Sequence, residues 1–581
     1  MHWQFLLEPV YRCNPCNAPH GDSLPGRHGA ITYGSCKARV PGTHKWPVRL
    51  FRRASTPWPW CIAPHFTPTS LLDSLMATRR YLQLTAFLML AMQVAVECRS
   101  AEEKPQPTAF DAPEPKPVLE WGAADARSFL VPAYEIPAFQ LLLNRFDHYA
   151  EDAGTYPWPW TNLRENLHRQ WVIDNDKFAT NQFLHPYQGS VYQGFARSAG
   201  LDFWQASAYT FAGSLAWEYS GENTAPSYND QVATGIGGNF LGEPLFRMAS
   251  LLLESGENGS PSWWQELAAA LISPSTGFNR LAYGNRFSPV FRSYEPAVFT
   301  RIDVGANLRT RYSSSINVNA DPSAPPIGQT LKKDSATAAF AIGYGLPGKP
   351  EYSYDRPFDY FAFEVGVDTA NSFESVFSRG LLYGTTYEIG AAYRGIWGLY
   401  GIYDYSAPNI FRVSNTAGAL GTTAQWWISH SVALQGTALA GVGYAGGGVI
   451  HGAGVTGPSP NGEGQRDYHY GLAPESILAA RLICGDRLAL DATARGYYIS
   501  RIAASGSTGS ETIDRFDVLL TVRVFDLHGL TLRYSESTRD GRYVHLCICP
   551  THTKESPRSA WAIRCWDIKS SAPSTGDNKL H

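Results

Sequence analysis

From about residue 297 onward the sequence alternates with a period of two, and this limits what the chain can become more than any other feature. Ile302, Val304, Ala306 and Leu308 alternate with Arg301, Asp303, Gly305, Asn307 and Arg309, and Phe361, Phe363, Val365 and Val367 alternate with Ala362, Glu364, Gly366 and Asp368. Phe516, Val518, Leu520, Val522 and Val524 do the same against Arg515, Asp517, Leu519, Thr521 and Arg523, and Leu530, Leu532 and Tyr534 continue the scheme after a turn. Successive side chains of an extended backbone point to opposite faces, so each segment reads as a strand with one apolar and one polar face.

Eleven such segments follow one another, over 298–313, 334–346, 358–370, 374–387, 389–404, 410–427, 431–446, 468–483, 487–500, 512–525 and 529–538. Each is long enough to cross a bilayer as a tilted strand, which takes about 9–11 residues. The connections alternate between long (314–333, 447–467, 501–511) and tight (Ser429-His430, Gly485-Asp486, 526–528). Alternation fits a soluble β-sandwich as well as a membrane barrel; the two differ in whether the apolar face meets a core or lipid. Strand length, the aromatic strand ends (Tyr312, Tyr344, Tyr403, Tyr405, Trp426, Trp427, Tyr497 and Tyr498) and an N-terminal secretion signal favour the barrel. Bacterial barrels have even strand numbers, which predicts about twelve. After Asp540 the alternation stops in a segment with three cysteines, so the closing strand reads as lost and the barrel as open-edged.

The secretion signal starts at Met76. Arg79 and Arg80 form a basic region, Leu82 to Val96 an apolar stretch, and Ser100 and Ala101 supply small residues for cleavage before Glu102, Glu103 and Lys104. On this reading residues 1–75, rich in Pro, Arg and Cys, are a mis-assigned or disordered leader and 76–101 the signal peptide. Residues 102–134 are a Pro-rich linker, 135–283 a helical domain, 297–540 the barrel and 541–581 an aberrant disordered tail. A net charge of −3 gives no basic field for nucleic acid, and 13% aromatic with only 17% charged residues suits a turn-rich β protein. Most of the nine cysteines sit near the two ends. Cys13 and Cys16 have no matching second pair, so no zinc site and no cofactor are expected.

Within 135–283 the period changes to that of helices, predicted over 186–199, 203–219 and 228–254, with Ser227 as N-cap of the third and another opening at Ser260-Pro261. Gly235, Gly238 and Gly242 share one helix face and Gly213-Ser214 lies in the preceding helix, which predicts a close-packed hairpin. The densest polar residues fall in the same stretch. His185, Glu218, Glu222 and Asp230 are the candidate catalytic or cation-binding set, and Arg197, Asn229, Glu243 and Arg247 a surrounding polar cluster. If the first four converge they could act as acid and base. The opposing reading, which the residues favour, is that they pair with Arg197 and Arg247 or cap helix ends. No G-x-S-x-G elbow surrounds Ser190 or Ser198, and Gly235-x-Gly237-Gly238 opens no phosphate loop. The glycine-rich 446–464 reads as an outer loop without calcium ligands.

This block resembles the bacterial family known as domain of unknown function 3943. The resemblance rests on His185-Pro186-Tyr187 with Gly189-Ser190, Ala196-Arg197-Ser198, Phe203-Trp204, Trp217-Glu218-Tyr219, Gly221-Glu222, Asn229-Asp230, Gly237-Gly238 and Gly242-Glu243. Tyr403-Asp404-Tyr405 and Gly421 to Trp427 look similar to the same family's C-terminal half. It implies an envelope location and no defined activity. The expectation is therefore an α+β protein: a periplasmic helical bundle followed by an antiparallel outer-membrane-type barrel, contacting outer-membrane lipid and an envelope partner, with a structural or transport role. An envelope lipid- or wall-modifying enzyme, its site in the helical domain, is the alternative. Lumen-facing Asp303, Arg309, Glu364, Asp368, Asp491, Arg495, Arg515, Asp517 and Arg523 carry both signs, which suits a salt-bridged interior.

Overall fold

The structure, a computed structural model, describes residues 127–576 apart from 151–152, 175, 257–259, 285–286, 288–290, 317–326, 350, 370–371, 408–410, 450–467, 501–506 and 546–569. The expected leader, the signal peptide, Cys13 and Cys16, most of the linker and most of the tail lie outside these residues.

The first half is helical: α1 (Leu130–Ala150), α2 (Pro159–Asn166), α3 (His185–Ser198), α4 (Phe203–Ser220), α5 (Tyr228–Val232), α6 (Gly238–Glu254), α7 (Trp263–Ile272) and α8 (Pro274–Tyr283). Local chemistry sets the starts. Asp202 and Gln205 form a capping box on α4, Ser262 and Gln265 one on α7, and the Ser227 hydroxyl accepts the Asp230 amide to open α5. The expected start at Ser260-Pro261 is therefore two residues early, because Ser262 has the capping partner. Five-residue π-helical turns, Thr180–Leu184 before α3 and Ala233–Gly237 between α5 and α6, widen two helices in mid-course.

The expected glycine contact forms with a different partner. α3 crosses α6 so closely that a Cβ on Gly189 would lie 2.1 Å from the Thr234 carbonyl oxygen, and one on Gly238 would lie 2.6 Å from the Gly189 Cα. Gly213 of α4 instead faces Ile136 and Tyr192. The glycine at 189 stands on the crossing face of α3, and a pattern read within one helix does not say which neighbour it meets.

The second half is one antiparallel sheet of twelve strands among the described residues, paired in chain order. They are β1 (Val298–Ile316), β2 (Ile327–Tyr344), β3 (Phe361–Asp368), β4 (Ser372–Ile389), β5 (Tyr393–Ser406), β6 (Phe411–Ser429), β7 (Val432–Val449), β8 (Tyr468–Cys484), β9 (Leu488–Ile499), β10 (Ser507–Phe525), β11 (His528–His545) and β12 (Ser570–Gly576). The eleven expected segments are all strands, and the sheet curls into a nearly closed barrel. β11 runs on past Asp540, and the short β12 pairs with it and lies beside β1.

The two faces of the barrel are chemically inverted relative to a water-soluble one. Outward residues such as Ile302, Val304, Leu399, Leu420, Val522, Leu530 and Leu532 are exposed, Val304 by 82%. Inward residues are charged and joined across the lumen. Arg301 binds Asp303 at 2.9 Å and reaches Asp491 of β9 at 2.8 Å; Arg533 bridges Asp303 (3.6 Å) and Glu364 (3.7 Å); Arg495 and Arg515 both meet Asp517. Asp368 accepts from the Ser335 hydroxyl, whereas Arg523 pairs with Asp486 at the exposed tight-turn end. The side chain of Arg309 lies outside the described residues. The β2–β3 connection folds into the same interior, where Tyr352, Tyr354 and Tyr360 pack on Leu381, Ile396, Tyr400, Leu439 and Ile477.

The helical domain leans on the outside of this wall. Along β5, Trp397 and Leu399 are exposed, but Gly401, Tyr403 and Tyr405 on the same outward face are covered. The Phe240 ring lies within 2.6 Å of where a Gly401 Cβ would stand, the Tyr403 hydroxyl donates to the Gln182 carbonyl at 2.6 Å, and the Ser378 hydroxyl donates to the Phe240 carbonyl at 2.6 Å. Phe178, Phe203, Tyr344, Phe358, Phe361, Tyr403 and Tyr405 form one core between the two. Burying aromatics of this size supplies most of the driving force for docking.

The α3–α6 crossing gives the first prediction. Gly238→Ala should lower stability by about 1–3 kcal/mol through overpacking, read as a lower midpoint in thermal unfolding of the whole chain in detergent micelles. Gly305→Ala, whose Cβ would meet open space, should change it little.

Candidate functional site

Two networks organise the polar residues of the helical domain, and they do not share partners. The first gathers candidates from α3, α4 and the α4–α5 turn. His185 Nε2 is 3.8 Å from Asp230 Oδ1. The other Asp230 oxygen accepts from the Ser227 hydroxyl at 2.5 Å, and the Ser227 amide donates to Glu218 Oε2 at 2.7 Å. Asn229 donates to Asp230 and to Asp174, both at 2.8 Å, and Asn181 donates to Asp174 at 2.5 Å. The barrel completes the shell: Tyr470 receives the Asn229 and Gln182 amides at 3.1 and 2.8 Å, and Tyr468 the Asn181 amide at 2.8 Å. Asp174, Asn181, Tyr468 and Tyr470 carry no local signature in the sequence; the tyrosines come from a strand nearly 290 positions away.

Of the four candidate residues, His185, Asp230 and Glu218 are linked through Ser227, while Glu222 influences Glu218 and Asp230 only through its charge. Their expected neutralisation by Arg197 and Arg247 does not occur. Both guanidiniums are committed to Glu243 in the second network, where Arg197 Nε lies 2.7 Å and Arg247 Nε 2.8 Å from its two oxygens. Arg247 continues to Asp359 at 2.9 Å, and Asp359 binds Arg356 at 2.9 Å, so this network ties α3 and α6 to the β2–β3 connection. The Phe291 ring lies under the guanidiniums of Arg197, Arg247 and Arg356, 4.7–5.2 Å from each.

The electrostatics of the two networks are opposite. Burial opposes the charge on Glu243, but Arg197 and Arg247 overcome it and hold its carboxyl down at about 2. In the first network burial dominates. It raises Glu218 and Asp230 well above the usual carboxylate range, with further push from Glu222 and Asp174 respectively. It raises Glu222 to about 8, assisted by Asp176 and Asp174, and it lowers His185 against the opposing pull of Asp174. Burial thus favours the protonated form of Glu218, Glu222 and Asp230 and the uncharged imidazole of His185. Among the described residues no three His, Cys, Asp or Glu side chains are grouped as metal ligands.

What this cluster can do chemically is hold protons. His185 and Asp230 are buried, and so are Tyr468, Tyr470 and Asn229 around them. A cavity of about 130 Å³ lies instead in the barrel lumen, lined by Arg301, Glu364, Asp404, Asp491, Arg495 and Asp517 among others.

Fold and site together define an α+β barrel protein: a nearly closed antiparallel β-barrel with a helical domain fixed to its outer wall through buried polar networks. Residues 170–275 match the family model described as Domain of unknown function (DUF3943). The match spans α3 to α7 and nearly every helical residue of both networks. No curated protein and no solved structure matches the chain.

Two predictions follow from the opposed electrostatics. Glu222 has a folded-state pKa near 8, above its unfolded value, so the folded state binds the extra proton between those values and stability falls as pH rises through them. His185, held low, works the other way only below its ordinary pKa. The thermal midpoint in micelles should therefore drop between pH 5 and pH 8, and Glu222→Gln should flatten that drop, by roughly 1–3 kcal/mol at pH 8; parallel profiles would refute the assignment. In the second network, Arg247→Met leaves Glu243 and Asp359 short of a buried counter-charge and should cost about 3–5 kcal/mol. Limited proteolysis should then show earlier cleavage within 345–360.

Proposed function

We propose that this chain is a membrane-spanning β-barrel of a bacterial outer membrane, with a structural role in the envelope and a lumen that is closed in the conformation described. The observation that carries the reading is the inversion of faces. Isolated charges cannot be left in hydrocarbon, and exposed Leu, Ile and Val on every side are costly in water, so a barrel with ion pairs inside and an apolar belt outside is built for lipid. The expected signal peptide agrees with that location. Bacterial barrels turn tightly on the periplasmic side; β1 starts on the side of the tight 430–431 and 485–487 turns, so the chain enters the barrel at that end, and the helical domain runs along the outer wall toward the opposite strand ends at Tyr405 and Tyr468.

Closure of the lumen rests on two features: the Arg–carboxylate pairs that cross it, and the plug formed by Tyr352, Tyr354 and Tyr360 at the tight-turn end. Both signs meet within each pair, so no unbalanced ring of charge is left to select an ion.

The reading is tested by refolding the chain into phosphatidylcholine–phosphatidylglycerol vesicles. The protein should resist carbonate extraction and migrate faster on SDS gels unheated than heated, and planar bilayers containing it should show no steady current at neutral pH. Release by carbonate in soluble form would overturn the membrane assignment, and a steady ohmic current would overturn the closed lumen.

A further inference from the structure

The helical domain has the surface of a lipid-facing body, although no helix among the described residues is long and apolar enough to cross a membrane. Arg164, Glu165, His168, Arg169 and Lys177 form an exposed charged edge, but from Phe178 to Gly284 the charges are turned inward. Those of the two networks are buried; of the other described charged residues between Phe178 and Gly284, Glu254 accepts from the Ser293 amide, and Glu266 and Arg280 hold each other at 2.6 Å. Asp202, a helix cap, is the one exposed charge among them.

What faces outward is apolar in a helical rhythm. On α4 the exposed positions are Trp204, Ala208, Phe211, Ala212 and Ala216, an apolar stripe, whereas Thr210, Ser214 and Glu218 lie on the packed face. A helix whose outward face is apolar while its polar groups point inward is turned toward an apolar surrounding. On α7 the exposed stripe is Trp263, Trp264, Leu267 and Leu271, with Trp264 71% and Leu271 76% exposed, and on α8 Leu281 is 87% exposed. Tryptophan at such density is the composition of a membrane interface rather than of a water-facing surface.

This surface is continuous with the barrel's outward belt. Gly237 sits against Thr416 of β6, with the next outward residues of that strand, Gly418 and Leu420, exposed; on the helical side the neighbouring Ile236 is exposed too. A bilayer that meets Leu420 must therefore meet the helices docked beside it.

We propose that the helical domain is embedded in the same bilayer as the barrel, lying against its outer wall with α4, α7 and α8 toward lipid and the two polar networks toward the strands. This rests on the reading of the barrel as membrane-spanning. The partner is the lipid itself, and the inward networks follow from it: between hydrocarbon and an apolar wall, the charges of α3 to α6 have only each other and the tyrosines of the strands, while the charged edge at Arg164, Glu165, His168, Arg169 and Lys177 is left to water or headgroups.

The test is photolabelling of the full chain in phosphatidylcholine–phosphatidylglycerol vesicles carrying a diazirine-bearing acyl chain, with labelled peptides mapped by mass spectrometry. Labelling of the α4 and α7 peptides of the same order as that of the β11 peptide bearing Leu530 and Leu532 is expected. Labelling of the β11 peptide without the helices would overturn this proposal while leaving the membrane barrel standing. Labelling of neither would overturn both. Protein–protein cross-links between copies through α7, with lipid labelling confined to the barrel, would show a second copy covering this face and would also overturn it.

Discussion

Glu243 is the point on which the rest of the molecule is hung. It is a fully buried carboxylate, and burial of an unpaired charge would cost several kcal/mol. Arg197 from α3 and Arg247 from its own helix must both reach it, which fixes the rotation of α3 against α6 and so the crossing at Gly189 and Gly238. Arg247 then has donors left over, and these go to Asp359 and to the Pro357 carbonyl. The β2–β3 connection is held there, and its tyrosines are positioned in the lumen. One carboxylate thus aligns helix packing, the docking of the helical domain and the plug of the barrel.

Most of the architecture was legible in the sequence because it depends on periodicity. Strands from Val298 to Thr538 show themselves through alternation, and the capped start of α5 through Ser227, whereas the end of β11 beyond Asp540 does not. The candidate residues were legible as residue types, since charges in so apolar a stretch have few other uses. Their pairing was only partly so. Arg247, four residues on, is a partner that helical spacing offers Glu243, but nothing local brings Arg197 to the same carboxylate, and nothing marks Tyr468, Tyr470 or Asp359 as neighbours of these acids. Those contacts arise from which face of the sheet the helices cover, a property of tertiary docking. The glycine crossing shows the same limit: small residues announce a close approach without naming the helix that makes it.

The two networks represent different solutions to one problem. Around Glu243 the charge is kept and matched by guanidiniums stacked on Phe291. Around Asp230 burial disfavours the charge, and hydroxyls and amides rather than guanidiniums satisfy the carboxyl oxygens. The first is insensitive to pH across the neutral range, and the second is poised within it. A single small domain therefore contains one rigid polar joint and one that responds to protons.

The tyrosine shell has a consequence for how the molecule is made. Asn181 and Gln182 wait for hydroxyls that lie 287 and 288 positions further along the chain, on β8. Until that strand arrives, the acids behind them stay open to water and ionised, and the domain lacks part of its wall. Such distant closure slows folding, because the ends of a long segment must meet before any contact rewards it. It also makes the N-terminal domain a gauge of the barrel: its acid pocket seals only around a sheet that has been built at least as far as its eighth strand.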